Sequence, residues 1–138
     1  MYVEADMLYS YLKPSDWLKE YALKVVDKYK LSTSVITIVE IELVSKRDFG
    51  NDFANSVGEN IEKLKNLRII PLEMKTIKKA IEFRKKFNLN IFDSLHAANA
   101  FVLKEDILST DGVYDLIEEI KRVDPRELVS VDMENSGN

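Results

Sequence analysis

The stretch Ile36-Thr37-Ile38-Val39-Glu40-Ile41-Glu42-Leu43-Val44 reads in two ways, and the fold turns on which is taken. Its β-branched content favours a strand. Strand alternation would set Glu40 and Glu42 on the same face as Ile36 and Ile38, mixing carboxylates into an apolar surface. A helix over about residues 36–46 instead pairs Glu42 with Lys46 at i,i+4 and turns Ile36, Val39, Leu43 and Val44 inward. The helix is the reading adopted here. It leaves residues 31–35 as a short strand feeding a helix, one unit of a β–α alternation.

The alternation continues on both sides of that unit. Upstream, residues 2–5 form a strand and 7–12 a helix. Ser15 is read as the N-cap of a helix that carries Trp17, Leu18, Tyr21, Ala22 and Val25 and ends near Tyr29. Downstream come a helix over 51–67, a strand over 68–72 and a helix over 74–87. The last of these places Ile77, Ala80, Ile81 and Phe87 toward a core and Lys75, Lys78, Lys79, Lys85 and Lys86 on a basic side. A helix over 91–103 follows, its small Ala97, Ala98 and Ala100 suited to close packing. A strand over 107–109, a helix over 113–120 and an edge strand over 121–123 complete the series. Short apolar strands alternating with helices imply a parallel sheet covered by helices on both faces. One domain over residues 1–131 with a polar tail at 132–138 is expected.

Composition narrows the chemistry. Of 138 residues, 46 % are apolar and 32 % charged, which describes a folded globular chain. The formal net charge of −4 gives no long-range attraction to nucleic acid, so an RNA partner would need a local basic patch or a bridging cation. The absence of cysteine excludes disulfides, thiolate zinc sites, iron–sulfur clusters and thiol nucleophiles. The lone histidine, His96, excludes a zinc site built on several imidazoles. No apolar run approaches the ~18 residues of a membrane span, and the opening MYVEADMLYSYL has neither the basic region nor the cleavage site of a signal peptide. A soluble cytoplasmic protein is expected.

Acids recur where an open α/β sheet gathers its ligands, beyond the carboxyl ends of the strands. Asp6 follows the first strand, Asp111 follows the strand at 107–109, Asp93 opens a helix and Glu40 lies within one. Taken singly, each of these aspartates has a simpler structural account, a helix cap for Asp6 and Asp93 and a turn for Asp111-Gly112. Glu40 is different: its helical neighbours Ile36, Thr37, Leu43 and Val44 include no cation, so it calls for a metal ion or a distant Lys or Arg. Carboxylates meeting in one cleft remain ionised together only around bound cations. All-oxygen ligation suits Mg²⁺ or Mn²⁺, and two such ions about 3.5–4 Å apart serve phosphodiester cleavage.

Four segments in order carry a family resemblance: Val3-Glu4-Ala5-Asp6-Met7-Leu8-Tyr9; Ser34 to Glu40; Asp93-Ser94-Leu95-His96-Ala97-Ala98-Asn99-Ala100; and Ile107-Leu108-Ser109-Thr110-Asp111-Gly112-Val113-Tyr114-Asp115. With this spacing the chain resembles the PIN-domain ribonucleases, in particular VapC-type toxins of prokaryotic toxin–antitoxin pairs. The resemblance implies a three-layer α/β/α sandwich around a parallel sheet of four to five strands. It implies Asp6, Glu40, Asp93 and Asp111 as catalytic, metal-binding acids, with Asp115 as an outer fifth. It also implies Mg²⁺- or Mn²⁺-dependent cleavage of single-stranded RNA, an antitoxin partner and a homodimer. Met7 and Leu8 stand where the family often has a small polar residue, and Gly112 and Val113 where it often has basic ones. Thr110, Ser34 and Thr37 are candidates to orient the acids or water, although turn, capping and strand roles explain them as well. Lys13, Lys78 and Lys79 are candidates for the RNA backbone, against the simpler reading of a solvated face. His96 is read as a packed or surface imidazole rather than a general base. An RNA-processing nuclease without an antitoxin, or an inactive PIN-like scaffold, is the competing reading.

Overall fold

The computed structural model describes residues 1–129. The expected domain end at 131 and the tail at 132–138 lie outside the described residues. Five parallel strands form one sheet in the order β3-β2-β1-β4-β5. They are β1 (Tyr2–Val3), β2 (Leu31–Ser34), β3 (Leu67–Ile70), β4 (Ile107–Leu108) and β5 (Arg122–Val123). The helices are α1 (Ala5–Leu12), α2 (Lys19–Lys28), α3 (Val35–Phe49), α4 (Asn51–Glu62), α5 (Met74–Phe87) and α6 (Ile91–Leu103), with a 3₁₀ turn at Gly112–Leu116.

Side-chain alternation along the strands builds two cores, one on each face. Val3 and Leu108 point to a core shared with Leu8, Val25, Ile41 and Val57, from α1 to α4. Their neighbours Tyr2 and Ile107 point the other way, to Ala80, Phe83, Ala97 and Ala98 of α5 and α6. This is the α/β/α sandwich. Ala97, Ala98 and Ala100 are fully buried, so the small side of α6 lets that layer close on the sheet.

The ambiguous stretch is helical throughout, but α3 is turned differently from expectation. Thr37, Ile41 and Ser45 are its buried row. Val35, Val39 and Leu43, spaced by four, are 42 %, 45 % and 59 % exposed. Apolar residues surround this helix almost completely, so hydrophobicity alone does not select a face. The selection comes from Thr37, whose hydroxyl lies 2.8 Å from that of Thr33 and 3.3 Å from that of Tyr2.

Other differences are local. Ser15 caps nothing: Asp16 accepts from Ser10 Oγ at 2.6 Å, Lys13 Nζ at 3.1 Å and Leu18 N at 3.2 Å, and α2 starts only at Lys19. Trp17 is consequently left 63 % exposed. α4 stops at Glu62 because Leu67 is taken into the sheet opposite Leu31. The helix expected over 113–120 is the shorter 3₁₀ turn. In α5 the buried row is Thr76, Ala80 and Phe83, while Ile81 is 37 % exposed.

Candidate active site

Reading along the sheet, the chain steps from β1 to β2 to β3 on one side and places β4 and β5 on the other. The reversal lies between β1 and β4. In an open parallel sheet such a switch point opens a crevice beyond the strand ends. Asp6 follows β1 in the first turn of α1, and Asp111 follows β4. β2 leads directly into α3, which carries Glu40, and Asp93 stands in the first turn of α6.

The cap readings divide. Asn90, not Asp93, caps α6, its Oδ1 accepting from Asp93 N at 2.8 Å. The N-cap position of α1 belongs to Glu4, which makes no side-chain cap bond. Asp6 and Asp93 are therefore free of capping duty, although both gain from the positive end of their helices. Asp111 does cap: its Oδ1 accepts from Val113 N at 2.9 Å, while its own N–H donates to Ser109 Oγ at 3.0 Å.

The charges of these acids reach one another. Desolvation first, then the negative charges of Glu40 and Asp111, raise the Asp6 carboxyl above the ordinary aspartate range. Desolvation and then Asp111, with Glu40 also contributing, do the same for Asp93, which Tyr114 partly offsets by donating its hydroxyl to Oδ1 at 3.4 Å. Glu4 is held well above its usual value by burial, then by Asp6, Glu40 and Asp93. It is only 4 % exposed, and its Oε1 has no hydrogen-bond partner. Sequence reasoning passed over Glu4; the signal was a carboxylate between Val3 and Ala5 at the end of a buried strand.

The protein partner of Glu40 is a histidine, not the Lys or Arg expected. His96 Nε2 lies 2.6 Å from Glu40 Oε1, and its Nδ1 lies 2.8 Å from the Tyr2 hydroxyl. Burial holds the Tyr2 phenol far above its normal range, so it stays a hydroxyl. Asn99 Nδ2 donates to the same hydroxyl at 3.4 Å and to Leu95 O at 3.0 Å. Thr37 belongs to this buried group, whereas Ser34 spends its hydroxyl on Ile36 N as the cap of α3.

Asp115 is engaged in an ion pair. Both its oxygens accept from Arg122, from Nε and Nη2, at 3.0 Å each, and the ion pair holds its carboxyl below the usual range. Lys13, paired with Asp16 at 3.1 Å, lies near Asp6: with Asp6, Tyr9, Trp17 and Thr110 it lines a cleft of about 190 Å³. Its positive charge lowers the Asp6 pKa, against the larger upward effects of burial and the neighbouring acids. Lys79 instead pairs with Glu82 at 3.0 Å and lies 4.3 Å from the centre of the Phe101 ring, while Lys78 is exposed on α5.

Among the described residues, no three acidic or histidine side chains stand close enough to enclose an ion. The carboxylates sense each other across the crevice without converging on one point. The donor set still fits a hard divalent cation: oxygen ligands only, like charges that need neutralising, and an orphaned carboxyl oxygen on Glu4 beneath them.

Comparison with known proteins agrees with this architecture. The family model described as PIN domain matches residues 1–120. No curated protein sequence matches significantly. Among solved structures, the chain is similar to VapC20 of Mycobacterium tuberculosis, described as a sarcin-ricin-loop-cleaving toxin, with TM-score 0.74 and 13 % identity over 87 % of this chain and 98 % of that one. It is similar to a toxin–antitoxin complex from Klebsiella pneumoniae, with TM-score 0.67 and 14 % identity over 90 % and 96 % of the two chains. It is also similar to VapBC2 of Rickettsia felis bound to a promoter DNA fragment, with TM-score 0.68 and 13 % identity over 89 % and 96 %. At these identities the likeness is one of fold.

Proposed function

The chain belongs to the PIN domain family, and we propose that it is a divalent-cation-dependent endoribonuclease, the toxin of a toxin–antitoxin pair. Asp6, Glu40, Asp93 and Asp111 would hold Mg²⁺ or Mn²⁺ and direct cleavage of single-stranded RNA. The observation that carries this reading is electrostatic: Glu40 and Asp111, from distant parts of the chain, both act on Asp6 and on Asp93 at the sheet's switch point. Such an arrangement costs stability and is explained by a cation that uses it.

A pair of such cations supplies, when bound, a water nucleophile at neutral pH and charge compensation for the leaving 3′ oxygen. The protein's share is placement. Asp6 and Asp93 sit on first helical turns whose geometry is set by backbone hydrogen bonds. Asp111 is locked by its turn to Ser109 and Val113. Lys13, beside Asp6 in the cleft, is suited to a phosphate of the incoming strand. The antitoxin reading draws on the structural neighbours, several of which are toxin–antitoxin complexes. A homodimer draws on the exposed apolar row Val35, Val39 and Leu43.

The test is cleavage of a single-stranded RNA substrate with millimolar Mn²⁺. The wild-type protein cuts, chelation stops it, and Asp93→Asn loses at least about 100-fold in rate, in line with loss of a principal site group. Full activity in Asp93→Asn would refute the site. Intact RNA with wild-type protein would leave a non-catalytic PIN scaffold.

A further inference from the structure

We propose that His96 is a positioning residue of this site: clamped between the buried Tyr2 hydroxyl and Glu40, it fixes which way the Glu40 carboxylate faces. The inference rests on the nuclease reading above. His96 is 1 % exposed, Tyr2 and Thr37 are 0 % exposed, and Asn99 is 1 % exposed, so the group is dry apart from its Glu40 end. The ring is engaged at both nitrogens. The Tyr2 hydroxyl accepts from Asn99 Nδ2 and lies 2.8 Å from His96 Nδ1 and 3.3 Å from Thr37 Oγ1. His96 Nε2 lies 2.6 Å from Glu40 Oε1; a carboxylate oxygen only accepts, so Nε2 carries the hydrogen and donates it. An Nε2–H tautomer and an imidazolium make the same donation, so the clamp does not depend on the charge of the ring. Among the described residues, Glu40 Oε2 has no protein partner, so one oxygen is tied and the other is left without a protein hydrogen bond.

The elements joined explain why this matters. Tyr2 lies in β1, four residues before Asp6. Glu40 and Thr37 lie one turn apart on α3. His96 lies one turn after Asp93 on α6. One helix thus presents one acid and steers another, with the steering anchored to the strand that leads into the third. Partners that orient ligating carboxylates typically change metal affinity or activity by about 10–100-fold when removed.

The experiment measures Mn²⁺ affinity by calorimetry, cation-free melting temperature, and kcat and KM for RNA, in wild type, His96→Leu, His96→Gln, Tyr2→Phe and Glu40→Gln. His96→Leu should weaken Mn²⁺ binding by about 10–100-fold and lower kcat with little change in KM. His96→Gln, which keeps an amide donor toward Glu40, should recover much of the loss. Tyr2→Phe keeps the ring and removes only the hydroxyl; it should shift affinity in the same direction by less, and it serves if His96→Leu does not fold. In the Glu40→Gln background, His96→Leu should cost no further affinity, because the two act as one unit. Wild-type Mn²⁺ affinity in both His96→Leu and Tyr2→Phe, with only melting lowered, overturns the positioning role and leaves the nuclease reading intact. Wild-type protein that binds no Mn²⁺ overturns both.

Discussion

Asp93 has opposite effects on the two properties a variant can report. Its raised carboxyl pKa means the folded protein retains a proton that the unfolded chain has already released. Stability therefore falls as pH rises from the ordinary aspartate value, near 4, through the raised folded value. Asp93→Asn removes that penalty. Without added cation, it should melt at or above the wild type at neutral pH, and the gap should close toward acid as the native carboxyl becomes protonated. Thermal melts across that range check the sign; a variant less stable at pH 7 than at pH 4, relative to wild type, would contradict it. Asp115, bound by Arg122, should behave differently: Asp115→Asn should leave Mn²⁺ affinity unchanged in the same calorimetric assay. At this scale the sequence offered four acids as candidates but not the groups that surround them. That Glu40 needs a partner from elsewhere was legible because its helical neighbours are apolar. The partner found, His96, lies 56 residues away and has no local signature. Glu4 was missed because a carboxylate beside a capping position looks ordinary until its burial is known.

The elements were legible in proportion to how fully local periodicity determines them. α5 and α6 run as expected, from Met74–Phe87 and Ile91–Leu103, because amphipathic spacing and small residues agree there. α3 is legible as a helix while its orientation is not, since its buried row is turned inward by one hydroxyl, that of Thr37, which pairs across to Tyr2 of β1 and Thr33 of β2. The join between α3 and α4 is a single residue, Gly50, at φ 92 and ψ −177, a region essentially confined to glycine. A Cβ there meets nothing within 4 Å, so the penalty of Gly50→Ala is purely conformational. Urea unfolding should show a loss of about 1–3 kcal/mol. An unchanged midpoint would mean that the helices can be joined without the turn.

Across the whole molecule, parallel order and the two-sided helical cover followed from the β–α alternation, whereas strand order did not. It emerges only from pairing, with β1 central between β2 and β4. That order sets the chain turns carrying Asp6 and Asp111 on either side of the switch point, and it leaves the apolar row of α3 on the outside. If the row is a self-association surface, Leu43→Glu should convert a dimer to a monomer in light scattering after size exclusion, because a carboxylate cannot be buried there without a partner. A wild-type protein that is already monomeric would rule the homodimer out.

The acids' shared charge is best examined with a cation that can be seen. In crystals grown with Mn²⁺, anomalous scattering should place a peak bonded to oxygens of Asp6 and Asp93, with Glu40 and Asp111 turned toward it. A map with no peak in that crevice, and with Glu40 or Asp93 turned away from Asp6 and Asp111, would contradict the account.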